Sequence, residues 1–123
     1  EAAGCELGQI VKSLVFVVDG RPVVALVAGD RRGDADAIAR AAGGTHATLA
    51  DAATVRSATG YAIGGVSPFD LPSEMPVLFD ESLGRFETVY PAAGTPASMV
   101  RMSRELLLEI TSARLAPVGK QGE

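Results

Sequence analysis

The stretch LVFVVDGRPVVALVAG, Leu14 to Gly29, limits what this chain can fold into more than any other. Val15–Val18 and Val23–Val27 are apolar and rich in β-branched residues, and Asp19-Gly20 between them is a strong two-residue turn signal. Pro22 stands at the start of the second run, where a missing N–H is tolerated. The two runs predict a β-hairpin. They are apolar at nearly every position instead of alternating, so both faces of that hairpin must be covered.

The rest of the chain supplies the cover. Residues 5–11 (CELGQIV) read as a short helix. Asp34 to Ala42 reads as a helix capped by Asp34 or Asp36 and ended by Gly43-Gly44. Residues 48–50 read as a short extended piece, and residues 51–58 as a helix capped by Asp51. Gly60 to Pro76 (GYAIGGVSPFDLPSEMP) is a long, stiff, irregular loop of a length that is often functional in compact domains. Strands are expected at 77–80, 86–90 and 98–102, a turn at 81–85 and a second glycine loop at 91–96. A final helix opens at Ser103, and the residues after Arg114 read as a frayed tail. Strands and helices in this order, without βαβ alternation, predict an α+β fold with a mixed, barrel-like sheet and flanking helices.

At 123 residues the chain is one domain, long enough to fold on its own core. One cysteine (Cys5) allows no internal disulfide, and one histidine (His46) beside it leaves too few ligands for structural zinc. No apolar run reaches the roughly 20 residues of a membrane span, and no signal peptide is visible. These features predict a cytoplasmic protein. The net charge of −4 works against a general nucleic-acid binder. RNA contact then needs a local basic patch or a grip on one chemically distinct end. Aromatic residues are only 5% of the chain, too few for a base-stacking platform.

Few residues suggest chemistry by themselves. A Ser/His/Asp triad would need His46, which reads better as a surface-loop histidine, and no G-x-S-x-G elbow is present. Cys5 has no obvious base beside it. The glycines at 60, 64 and 65 match neither G-x-G-x-x-G nor the Walker-A pattern. They make either a tight structural turn or a cradle. Asp80 and Glu81 read as solvated carboxylates at a strand end. Arg56, Arg101 and Arg104 could touch phosphates but read better as solvated arginines. Lys12 is one of only two lysines, the other being Lys120. It lies where a helical segment meets the first apolar strand, either snorkelling from the core or fixed at a cleft mouth to meet an anion.

Three segments taken together, QIVKSLVF (Gln9–Phe16), GYAIGGVSPFD (Gly60–Asp70) and AAGTPASMVRMSRELLLEI (Ala92–Ile110), resemble the signature segments of the YbaK/prolyl-tRNA synthetase-associated family. The resemblance runs from about Gly4 to Ser112. It implies a mixed sheet, barrel-like at its centre, and a pocket for the aminoacyl-adenosine end of a mischarged tRNA. The implied activity is trans-editing deacylation, hydrolysis of the aminoacyl ester, on tRNA of the Pro or Cys/Pro type, without cofactor or metal. An aminoacyl-tRNA synthetase is an implied partner. The resemblance makes Lys12, Gly64 and Gly65 the catalytic positions. Val66, Ser67 and Pro68, with Gly94, Thr95 and Pro96 of the second loop, become substrate-binding positions. No protein nucleophile is implied; positioned water, helped by the tRNA's ribose hydroxyl, attacks. The chemistry suits those residues. Glycine-loop N–H groups can stabilise an oxyanion, and a lysine supplies a point charge. Some branches carry a histidine near the second loop. GTPASMVRM has none, so the resemblance does not carry alanine specificity over. Family members usually have an additional N-terminal helix and strand, so the expectation is a single domain over residues 1–123 that lacks them. The competing expectation is a non-catalytic module of the same fold that binds tRNA, a synthetase or a small amino-acid derivative.

Overall fold

The structure, a computed structural model, describes residues 5–72, 74–95 and 97–122. The hairpin forms as its sequence demands. β1 (Ile10–Val18) pairs antiparallel with β2 (Arg21–Ala28), in register from Val11↔Ala28 to Val18↔Arg21. Asp19 and Gly20 both have positive φ, 49° and 86°, the backbone that a tight two-residue hairpin turn requires.

Around the hairpin lie β3 (Arg31–Gly33), α1 (Ala35–Ala41), β4 (Ala47–Leu49), α2 (Ala52–Thr59) and β5 (Val77–Asp80). After them come β6 (Thr88–Pro91), β7 (Met102–Ser103), α3 (Arg104–Thr111), β8 (Arg114–Ala116) and β9 (Gly119–Gln121). Among the described residues the main sheet runs β7-β6-β1-β2-β5-β8, with β4 also on β1. The β1/β6, β2/β5 and β5/β8 pairs are parallel; the others are antiparallel. It is a curled, half-barrel sheet in an α+β fold. β3 and β9 form a separate two-stranded ribbon.

Side chains alternate along β1 and so build two cores. Val11 and Val15 pack with Val24, Leu26 and Ala28 under Val55 of α2, Val66 and Leu107 of α3. Phe16 and Val18 pack with Val23, Ala25 and Val27 under Ile38 of α1 and Val118. Each helix is capped by the side chain its sequence offers. Asp34 accepts the Ala37 N–H at 3.3 Å, Asp51 that of Thr54 at 2.8 Å and Ser103 that of Leu106 at 3.1 Å.

Four expectations change. The residues after Arg114 are no frayed tail. They form β8 and β9, and Val118 is fully buried. Asp80 is not solvated; it is 2% exposed, and its carboxylate accepts the N–H groups of Val118, Gly119 and Ser82. The helix expected over 5–11 is one 3₁₀ turn, Leu7–Gln9, because the β-branched Ile10 and Val11 already belong to β1. The strand expected at 98–102 shrinks to Met102–Ser103, with a lone bridge between Ala92 and Met99.

Candidate active site

β1 is flanked by β2 along nearly its whole length, but its other edge is shared. β6 pairs there only with Ile10 and Val11, and β4 only with Phe16–Val18. Between them, residues 12–15 form a notch in the sheet. The Val15 carbonyl takes the Ala50 N–H at 2.9 Å at its far side. Lys12 and Ser13 sit in this notch on opposite faces.

Lys12 is half-buried on the face of Phe16 and Val18, and its ammonium donates to the backbone carbonyl of Arg31 on β3. An ion-pair chain braces that corner. Arg85 grips Asp30 with two bonds of 2.9 and 2.7 Å, and Arg31 lies 3.3 Å from the same carboxylate. Hydrogen bonding from Arg85 holds the Asp30 carboxyl below the usual carboxylate range, and the same contact raises Arg85. On the adjoining ribbon Arg32 stands directly opposite Lys120, both exposed.

The first glycine loop starts where α2 ends at Gly60, in the left-handed region. Gly64 has φ +87°, which a side chain rarely adopts, and the Gly65 N–H donates to the Ala62 carbonyl at 3.0 Å. Val66, Ser67 and Pro68 are buried and anchor the loop; the Ser67 hydroxyl accepts the Phe69 N–H at 3.3 Å. The second loop closes on itself. The Ala93 N–H donates to the Ser98 carbonyl at 2.9 Å, and the Thr95 and Ser98 hydroxyls lie 2.7 Å apart. A Cβ on Gly94 would stand 3.5 Å from the Tyr61 ring, so Tyr61 brings the two loops together. Pro96 lies outside the described residues.

Ser13, to which the sequence drew no attention, borders a cavity of about 70 Å³ lined also by Leu14, Val15, Leu49, Val55, Ile63 and Val66, with Ala50 beside them. Its Oγ is buried and has no hydrogen-bond partner among the described residues. A serine at an inward-facing position of an otherwise apolar strand was the available signal. Val66 of the glycine loop thus meets Ser13, whereas the Lys12 ammonium lies on the other face, at β3. A larger cleft of about 500 Å³ opens beside Val18 and Arg21 at the turn end of the hairpin. Its Val18 wall is six residues from Lys12, roughly 20 Å along an extended strand, and Pro72, Glu74, Met75 and Pro76 from the far end of the Gly60–Pro76 loop also line it.

Other residues weighed for chemistry have structural work. His46 is exposed, and its backbone N–H donates to Asp19 at 3.1 Å. Cys5 is buried. Arg104 donates to the Gly84 and Phe86 carbonyls and pairs with Glu105, which fastens α3 to the 3₁₀ turn at Glu81–Arg85. Arg56 and Arg101 are exposed. No helix among the described residues is long and apolar enough to cross a membrane.

The aminoacyl-tRNA editing domain model matches residues 1–110. This chain belongs to that family. The editing domain is 36% identical over 116 residues to the uncharacterized protein YwhH of Bacillus subtilis, covering 94% of this chain and 73% of that protein. It is 28% identical over 119 residues to EbsC of Enterococcus faecalis, a candidate Cys-tRNA(Pro)/Cys-tRNA(Cys) deacylase, covering 96% and 73%. A crystal structure of a candidate trans-editing enzyme for prolyl tRNA synthetase superposes on the editing domain with a TM-score of 0.89. The two share 39% identity, over 97% of this chain and 75% of that one.

Proposed function

We propose that this editing domain is a hydrolase that cleaves the ester of a mischarged tRNA, of the tRNA-Pro or tRNA-Cys/Pro type. The family match over residues 1–110 carries this reading, and the notch gives the chemistry a place. The 3′ aminoacyl-adenosine enters between β4 and β6, beside the glycine loop. Water, assisted by the ribose hydroxyl, attacks the carbonyl carbon. The oxyanion that forms is met by N–H groups of the Gly64–Val66 loop other than that of Gly65, which is bonded to Ala62 and sets the turn. The bond from carbonyl carbon to ribose oxygen then breaks. That oxygen takes up a proton, and free amino acid and tRNA leave.

Lys12 meets the ester or the terminal phosphate by swinging its four-carbon stem from the Arg31 carbonyl. Val66, Ser67 and Pro68 hold the first loop in place beside the substrate, and Gly94 and Thr95 close the site from the second. The ribbon of β3 and β9 supports tRNA contact. Two like charges directly opposite each other, Arg32 and Lys120, destabilise a ladder, and a phosphate backbone relieves them. An aminoacyl-tRNA synthetase is a fitting partner, because it delivers the mischarged product, and the cytoplasm is the matching location. We read residues 1–123 as a single editing domain.

Incubation with tRNA-Pro charged with Ala, Cys, Ser, Thr or Pro, alongside Lys12→Ala, tests the reading. Ester loss above the spontaneous rate for one or two mischarged species, reduced in the variant, supports it. The engagement of Lys12 with Arg31 favours a second reading, a non-catalytic module that grips the same end. No acceleration by folded protein on any species leaves that one standing.

A further inference from the structure

Resting on the deacylase reading above, we propose that Asp30 and Arg85 are positioning residues for Lys12. Their clamp fixes the Arg31 carbonyl, and that carbonyl fixes the ammonium.

The docking point of the lysine is the first ground. An ammonium on a flexible four-carbon stem samples many positions by itself. Here it donates to one backbone oxygen, that of Arg31. Arg31 opens β3, a strand of only three residues, directly after the Gly29-Asp30 turn. β9 supports Arg31 from one side, at Gln121. On the other side the Gly29 N–H donates to the Ile10 carbonyl at 2.8 Å, and beyond it the turn is gripped through the Asp30 side chain. What holds Asp30 therefore sets where the Arg31 oxygen stands.

The construction of the clamp is the second ground. An exposed ion pair ordinarily fixes little, because two long side chains must be ordered to make it. In this pair the arginine is ordered by other contacts as well. Both terminal nitrogens of Arg85 bond Asp30, its Nε donates to the Ser82 carbonyl at 2.7 Å, and its guanidinium lies 5.2 Å from the centre of the Phe86 ring. With all three nitrogens bonded and an aromatic ring alongside, the guanidinium has one place to be. The backbone closes over the pair. A Cβ on Gly8 would stand 3.0 Å from Arg85 Nη2 and 3.1 Å from Asp30 Oδ2. The Gly29-Asp30 turn is thus pinned to the Glu81–Arg85 turn, and Lys12 is given one starting position from which to reach the ester or the terminal phosphate.

The test reads the ammonium directly. The chain has two lysines, Lys12 and Lys120, so protein labelled with 15N-lysine gives two side-chain ammonium signals, assigned with Lys120→Arg. In wild type the Lys12 signal exchanges slowly with water. Arg85→Ala and Asp30→Asn each speed that exchange about threefold or more. Ser103→Ala, which removes the cap of α3, controls for a general loss of stability and leaves the Lys12 signal as it was. In single-turnover deacylation Arg85→Ala lowers the wild-type rate about fivefold and lowers that of Lys12→Ala no further, the non-additivity of a residue that acts through another. No Lys12 signal in wild type, a Lys12 signal unchanged in both clamp variants, an equal change in Ser103→Ala, or additive rate losses overturns the proposal. Faster Lys12 exchange in the clamp variants of a domain that deacylates nothing removes the enzyme reading and keeps the clamp. Lys12-dependent turnover with a Lys12 signal untouched by Arg85→Ala does the reverse.

Discussion

The buried carboxylate of Asp80 accepts the backbone N–H of Val118 at 2.8 Å, and the same oxygen accepts that of Gly119 at 2.6 Å. These bonds tie the segment between β8 and β9 to the end of β5. Asp80→Ala leaves buried N–H groups unpaired and is expected to lower stability by roughly 3 kcal/mol, read from the urea midpoint. Gly119→Ala lowers it too, because the added Cβ would stand 2.5 Å from Asp80 Oδ2. Asp80→Asn keeps an acceptor and loses less.

For Lys12, single-turnover hydrolysis of a mischarged tRNA is the measurement. Removing one charged contact to the ester or the terminal phosphate costs about a hundredfold, so Lys12→Ala should fall by that order. Lys12→Arg should fail to rescue it, since the planar guanidinium does not replace a compact ammonium. A thermal melt checks that both variants fold.

The Arg32–Lys120 pair separates stability from binding. Lys120→Glu turns a repulsive cross-strand pair into an attractive one and should raise stability by about 0.5 kcal/mol. The same change should weaken binding of whole aminoacyl-tRNA severalfold and reduce the slope of log affinity against log salt by about one. Binding of a non-hydrolysable 3′-aminoacylamido adenosine, which carries no phosphate backbone, should not change.

Asp30 gives a pH dependence whose sign is fixed. Hydrogen bonding from Arg85 depresses its carboxyl in the folded state. Its contribution is therefore present above the unfolded carboxylate value of about 3.9 and is lost as pH falls through the folded one. Both side chains are partly exposed, so screening keeps the contribution under about 1 kcal/mol. Asp30→Asn should be slightly less stable at pH 7, and the gap should close on acidification.

Gly64 and Gly20 have nearly the same φ, +87° and +86°. Alanine at either should cost about 1–2 kcal/mol of stability. Only Gly64→Ala should also lose deacylation beyond what its unfolding explains. Equal activity in the two variants would remove the first loop from the chemistry.

Legibility in the sequence followed the range of the forces. The hairpin, the three capped helices and the strand at Val77–Asp80 are set by local turn chemistry, caps and β-branched runs, and all were visible. β3, β8 and β9 were not. Each is three residues long, and partners far along the chain hold them, as when Arg31 meets Gln121. Asp80 reads as solvated because two of its three donors lie 38 and 39 residues away. In the site, the scarce lysine and the clustered glycines could be named, and the family's segments gave them roles. Ser13 looked like one more small residue in a strand. Whether its hydroxyl finds a partner depends on which face it takes and on what packs there, and neither is local information.

The notch has a consequence for the order in which the molecule becomes competent. It is bounded by β4, at Ala47–Leu49, and β6, at Thr88–Pro91, two strands some forty residues apart that share one edge of β1. With the hairpin alone formed, that edge is an open row of unpaired backbone and encloses nothing. A chain that has docked only one of the two strands has a ledge and no pocket. With the notch as the proposed seat of the ester, only the fully folded molecule offers that seat, and a half-made domain does not strip tRNA.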